Sequence, residues 1–169
     1  MSTILNTNGD QLKVPALLNP DSKFVIITAE WNSEVTHALR DGAEATFIEA
    51  GLAKENIIKI SVPGTVELVN IAAATLHRGV ADGIIVIGCV IRGDTPHFDY
   101  VCMHTTEGIA RLNAEGETAV TFGVLTVENL QQALDRAGGC LGNKGSEAAV
   151  AAIEMANLHT KLDCGFFQS

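Results

Sequence analysis

Apolar residues along the chain fall into two rhythms. Four short runs rich in β-branched residues, 24–29, 57–62, 84–91 and 118–125, read as strands, and 24–29 and 84–91 among them are nearly continuous rather than alternating. That is the signature of strands buried on both faces of a parallel sheet. Between them lie longer mixed stretches with helical spacing: 34–50, 66–78 and 98–114. In the second of these, Val66, Val69, Ala73 and Leu76 share one face. A fourth helix is expected to start within 126–129, with Thr126 as N-cap, and to end at 136–139. An Ala-rich final helix covers 145–161. Gly51 and Gly79 close the first two helices. Asn32 or Ser33 is the expected cap of the first, and Asp94 or Thr95 of the third.

The chain ends read differently. Residues 1–22 are polar and mixed, with Pro15 and Pro20, and suggest an N-terminal arm. Leu12, Val14 and Leu17 are expected to form a short edge strand, on this chain or on a neighbouring subunit. Residues 163–169 form a frayed tail in which Phe166 and Phe167 can dock. The single domain is then 23–162. Strand–helix alternation repeated four times, plus one further helix, gives an open parallel sheet with helices on both faces when crossovers are right-handed.

The stretch 83–104 concentrates the chemistry. Its apolar run breaks abruptly into Arg92-Gly93-Asp94-Thr95-Pro96-His97. A cation, free backbone N–H groups, a hydroxyl and an imidazole thus gather at the carboxyl end of a buried strand, the edge where open parallel sheets bind ligands. The turn 63–67 and Trp31, the single Trp, occupy the same edge. Trp31 is either an ordinary packing aromatic or a wall for a planar ring. Glu67 either complements a helix N-terminus or accepts from ligand hydroxyls. Arg136, in a last helical turn, has the bland role of complementing the helix dipole. His97 is the one histidine of the five that follows a strand in a donor-rich turn, where an imidazole of pKa about 6.5 suits proton transfer.

Composition narrows the partners. Of the 169 residues, 47% are hydrophobic and 18% charged, against roughly 25% charged in an average domain. A chain this apolar is expected to bury surface between subunits. The net charge of −9 argues against nucleic acid and anionic membranes as partners. No run reaches the ~18 apolar residues of a membrane span, and no signal-peptide pattern opens the chain. Cys89, Cys102, Cys140 and Cys164 form no C-x-x-C pair. Free thiols in a reducing cytoplasm are the expectation. The phosphate-loop and dinucleotide fingerprints, zinc spacing and the G-x-S-x-G elbow are all missing.

Five motifs in order carry a resemblance. They are Trp31-Asn32 after a strand; 62–67, reading VPGTVE; 88–100, reading GCVIRGDTPHFDY; 122–129, reading FGVLTVEN; and Arg136-Ala137-Gly138 followed by Gly142-Asn143-Lys144-Gly145. Over roughly residues 24–158 the chain resembles lumazine synthase, the 6,7-dimethyl-8-ribityllumazine synthase of riboflavin synthesis. The fold implied is three-layer α/β/α, flavodoxin-like, with a four-stranded parallel sheet. The reaction implied is the condensation of 5-amino-6-(D-ribitylamino)uracil with 3,4-dihydroxy-2-butanone 4-phosphate, losing phosphate and water, with no cofactor and no metal.

The same resemblance assigns roles. Trp31 matches the aromatic that stacks on the pyrimidine. Thr65, Val66 and Glu67 match the turn holding the ribityl chain and ring, and Cys89, Val90 and Ile91 the strand end reading the ring edge. The backbone of Asp94 and Thr95 matches the phosphate cradle, with the Asp94 carboxylate expected to point away. Phe122 and Arg136 match a pyrimidine contact and a phosphate grip lent by a neighbouring subunit. His97 matches the general acid/base, and Lys144 lies nearby. Pentamers, decamers or a sixty-subunit shell, and a riboflavin synthase partner, are further implications. The 138–144 link lacks the insertion that keeps some relatives pentameric, which leans towards a shell. The alternative is a flavin- or lumazine-binding relative without synthase activity, against which the set His97, Arg136 and Lys144 argues.

Overall fold

The computed structural model describes residues 12–165. Four parallel strands, β1 (Phe24–Ala29), β2 (Ile57–Val62), β3 (Gly83–Ile91) and β4 (Val120–Val127), stand in the order β2-β1-β3-β4. Helices α1 (Ser33–Glu49) and α5 (Lys144–Asp163) pack on one face, and α2 (Glu67–Leu76) and α3 (His97–Glu115) on the other. The three-layer α/β/α architecture read from the sequence is therefore the one observed.

Continuous apolar strands are what this sandwich requires. Successive side chains of a strand point to opposite faces. Phe24, Ile26, Ile85 and Ile87 enter the core under α1 and α5, while Val25, Ile27, Ile84 and Val86 enter the core under α2 and α3. All eight are essentially inaccessible to water. Each side chain of this size contributes on the order of 1.5–3 kcal/mol on burial, so β1 and β3 anchor both layers. β2 is an edge strand, and its exposed Ile58 reflects that.

Several expectations are corrected. The most buried stripe of α2 is Leu68, Ala72, Thr75 and Leu76, with Val66, Val69 and Ala73 only partly buried. The sheet and α3 together rotate the helix away from the face that spacing alone picks out. Strand four starts and ends two residues later than expected, so Thr126 stays in β4. Asn129 caps the short helix α4 (Leu130–Leu134) by accepting from Gln132 N–H. Neither Asp94 nor Thr95 caps α3, because Pro96 takes the cap position with helical dihedrals. The 138–144 link folds as a small antiparallel hairpin, β5 (Ala137–Gly139) and β6 (Gly142–Asn143).

Residues 12–22 form no strand in this chain. Val14 and Leu17 pack on the α1/α5 core, and Asn157 ties the segment down through Leu18 N–H and the Ala16 carbonyl. Phe166 and Phe167 lie outside the described residues. Among the described residues no helix is long and apolar enough to cross a membrane.

Candidate active site

The chain passes from β1 to β2 on one side and returns to β3 on the other, so α1 and α2 diverge between β1 and β3. A crevice at the carboxyl ends of these strands is the geometric result. A cavity of about 430 Å³ occupies it, lined by Trp31, Asn32, Thr65, Val66, Glu67, Cys89, Val90, Ile91, His97 and Val101. Eight of the site residues expected from the sequence meet here.

Local backbone chemistry builds the walls. Past the end of β1, Glu30 N–H donates to the Val62 carbonyl at 2.9 Å and Trp31 N–H to that of Pro63 at 3.2 Å. These two bonds prolong the β1–β2 ladder and set Trp31 beside the 63–67 turn. The indole lies against Gly64: a Cβ there would stand 2.8 Å from its Cε3. Only glycine allows that approach. The same turn is closed by Glu67, whose Oε2 accepts from Gly64 N–H at 3.0 Å. Glu67 is the first residue of α2, and its exposed carboxylate keeps a second oxygen for a ligand. Trp31 is 67% exposed in the single chain, so its ring face is not covered by the chain's own core.

Asn32 takes the N-cap position of α1, one of the two residues expected there, and its carbonyl accepts from Val35 and Thr36 N–H. It precedes α1 but caps nothing with its side chain. It adopts φ 59°, ψ 44°, the one left-handed residue other than glycine among the described residues. Asn tolerates that region better than most residues. Its Nδ2 instead donates to the Cys89 carbonyl at 2.9 Å, bracing the ends of β1 and β3. An Asn directly after an aromatic at a strand end was the available signal. Cys89 itself is buried, and burial pushes its thiol up to about 11. A thiol so held is protonated at neutral pH and makes a poor nucleophile.

His97 opens α3 and is exposed, as are Asp94 and Thr95 in the preceding turn. Asp94 and Thr95 do not line the cavity. Arg92 spans that turn, pairing with Asp99 and Glu128.

A second cavity, of about 450 Å³, runs along β4 and α5. Phe122, Thr126, Arg136, Lys144 and Glu147 are among its lining residues. It shares no lining residue with the first. Phe122 is 41% exposed although it sits mid-strand, because β4 is an edge. Arg136 follows α4 and donates from Nη1 to the Gln132 carbonyl at 2.9 Å, the helix-end role expected of it. Lys144 is engaged: its Nζ lies 2.6 Å from Glu147 Oε1, with both side chains largely covered. Among the described residues Arg136 makes no ion pair. The cation free to meet an anion in this cleft is therefore Arg136 rather than Lys144. Glu147 was missed, though an i,i+3 Lys–Glu pair on a helix is a readable signal.

Comparison with known proteins identifies the family. The family model described as 6,7-dimethyl-8-ribityllumazine synthase matches residues 21–160. A 6,7-dimethyl-8-ribityllumazine synthase of Bacteroides fragilis is 52% identical over 133 residues, covering 79% of this chain and 93% of that protein. One from Phocaeicola vulgatus is 50% identical over 140 residues, 83% of each. One from Pediococcus pentosaceus is 43% identical over 164 residues, 96% of this chain and 99% of the relative.

Proposed function

The chain belongs to the 6,7-dimethyl-8-ribityllumazine synthase family, and we propose on that premise that its two clefts are halves of one site. The function is the condensation of 5-amino-6-(D-ribitylamino)uracil with 3,4-dihydroxy-2-butanone 4-phosphate, a step of riboflavin biosynthesis. In class terms the enzyme is a transferase, and its setting is the cytoplasm, in keeping with four free cysteines.

The pyrimidine stacks on Trp31, with its edge against Cys89, Val90 and Ile91 and its ribityl chain against Thr65, Val66 and Glu67. The backbone of Asp94 and Thr95 and the Arg136 guanidinium, lent by the next subunit with Phe122, take the phosphate. The amine attacks the ketone, the imine forms, phosphate leaves and the ring closes. Each step moves protons that the His97 imidazole can carry. No protein nucleophile is needed, and holding two reactants in register supplies much of the acceleration.

The observation that carries this reading is the separation of the two clefts. The ring-stacking wall and the imidazole line one, the unpaired guanidinium the other, and they have no residue in common. In this reading each site is completed by a neighbouring copy, whose second cleft faces the first. Exposed apolar side chains such as Ile58, Val80, Tyr100 and Met103 support association, and pentamers, or a sixty-subunit shell built of them, are the assembly we propose. Riboflavin synthase is the partner we propose for the finished assembly. Light scattering is expected to give a mass at a multiple of five chains of 17.8 kDa; a monomer active at the same rate would defeat the shared site.

Mixing the protein with both substrates is expected to produce lumazine fluorescence. His97→Ala should slow this on the order of 10–100-fold, the low end for general acid–base catalysis because water reaches the exposed ring. Pyrimidine binding, read from quenching of the single Trp, should stay within about twofold. Wild-type turnover in that variant would remove His97 from the mechanism.

A further inference from the structure

We propose that Arg92 is a positioning residue, a clamp that folds across the 93–97 turn and holds His97 at its working place. The inference rests on the condensation reading above, which gives His97 its task.

Arg92 is the last side chain before the turn, one residue past the end of β3. Its Nη2 lies 3.1 Å from Asp99 Oδ1, and its Nε 3.1 Å from Glu128 Oε2. Its Cζ sits 4.0 Å above the centre of the Phe98 ring. Its own N–H donates to the Val127 carbonyl at 2.9 Å. Residue 92 therefore grips residues 98 and 99 from the other side of the turn, and the same guanidinium reaches the segment after β4. Phe98 is buried and gives the clamp a fixed floor.

Nothing else of comparable kind closes the turn. Residues 93–97 are all exposed. Among the described residues none of their side chains makes a hydrogen bond, and α3 starts without a side-chain cap. Pro96 contributes only its carbonyl, to Asp99 and Tyr100 N–H. His97 thus sits between a turn without ties of its own and residues 98 and 99, which Arg92 holds. Three partners in three directions demand a planar fork that also stacks, which Lys does not offer. Exposed ion pairs contribute little to global stability, so the clamp acts on the local turn and not on the fold.

The test uses the full chain in its native assembly, with Arg92→Ala, Arg92→Lys and Asp99→Asn. Arg92→Ala is expected to lower kcat at least ~10-fold, the lower range for a mispositioned proton carrier. Amide exchange over 93–99 should quicken by at least ~10-fold, as a local opening. Pyrimidine affinity from Trp31 quenching should change less than about threefold. Arg92→Lys should recover only part of the loss, and Asp99→Asn should fall between. Normal kcat and normal exchange in Arg92→Ala would overturn the proposal. So would pyrimidine affinity falling in step with kcat, or full rescue by Lys. Should Arg92→Ala fail to fold, Asp99→Asn and Glu128→Gln, which leave the arginine in place, decide by the same readouts. If the wild-type chain forms no lumazine, the condensation reading falls by itself, and exchange over 93–99 still judges the clamp.

Discussion

Replacing Arg136 with Ala is expected to raise the KM for the butanone phosphate by about 100-fold while leaving that for the pyrimidine within about threefold. A hydrogen bond to a charged group contributes roughly 1.5–3 kcal/mol, and 1.4 kcal/mol is about a factor of ten. Loss of one or two such bonds therefore spans about one to four decades. The effect should be concentrated in one substrate because Arg136 lines the cleft without Trp31 and His97. Lys144 cannot stand in, since its ammonium is committed to Glu147 at 2.6 Å. Arg136→Lys should restore part of the loss, as a point charge without the fork. Steady-state kinetics with each substrate varied in turn measures this. Equal rises in both constants would contradict the phosphate role. Mixing Arg136→Ala subunits with His97→Ala subunits offers a sharper check: sites shared across a subunit boundary should regain activity in the mixture, whereas sites contained in one chain should not.

Gly145→Ala is expected to cost about 3 kcal/mol or more and to lower Tm by roughly 6–12 °C, at about 2–4 °C per kcal/mol for a chain of this size. Gly145 is buried at the start of α5, and a Cβ there would collide with the Leu39 carbonyl oxygen of α1. That atom is backbone and cannot swing aside. The neighbouring Asn143 fills the remaining space. Its Oδ1 accepts from Gly145 N–H at 2.9 Å and Ser146 N–H at 3.2 Å, and its Nδ2 donates to the Ala38 carbonyl at 2.8 Å. Pushing α5 off α1 would also carry away Lys144, whose N–H donates to the Arg136 carbonyl at 2.9 Å. Activity with the phosphosugar should thus fall along with stability. Gly93→Ala is the control: no atom lies within contact of its Cβ and its φ is not left-handed, so Tm should move by less than about 2 °C. Thermal unfolding followed by circular dichroism checks both, and an unchanged Tm in Gly145→Ala would refute the packing argument.

Much of the architecture was legible in the chain because central parallel strands must be almost continuously apolar, and 24–29 and 83–91 are, while the edge strand 57–62 carries Lys59 and Ser61 among its apolar residues. The errors fell where a boundary depends on neighbours. Thr126 looks like a cap, but β4 pairs with β3 as far as Ile91 and Val127, and those ladder bonds outweigh a local cap. The α2 stripe shifted because α3 shares its burial. The three-residue β5 has too few positions for any periodicity to register.

The sequence by itself determined the α/β class, the strand-end location of the candidate site and the residue types gathered there. Those follow from local patterns, in which apolar runs make strands and turns follow at their carboxyl ends. Only the tertiary structure decided that the Asn32 side chain braces β3 rather than capping α1, that Lys144 is neutralised by Glu147 while Arg136 stays free, and that eight of the expected site residues line one cleft, Phe122, Arg136 and Lys144 another, and Asp94 and Thr95 neither. Each of these turns on which side chains meet across many residues of chain. Spacing along a sequence fixes the face of one element, whereas a contact between elements is set by how the whole sheet and its helices pack.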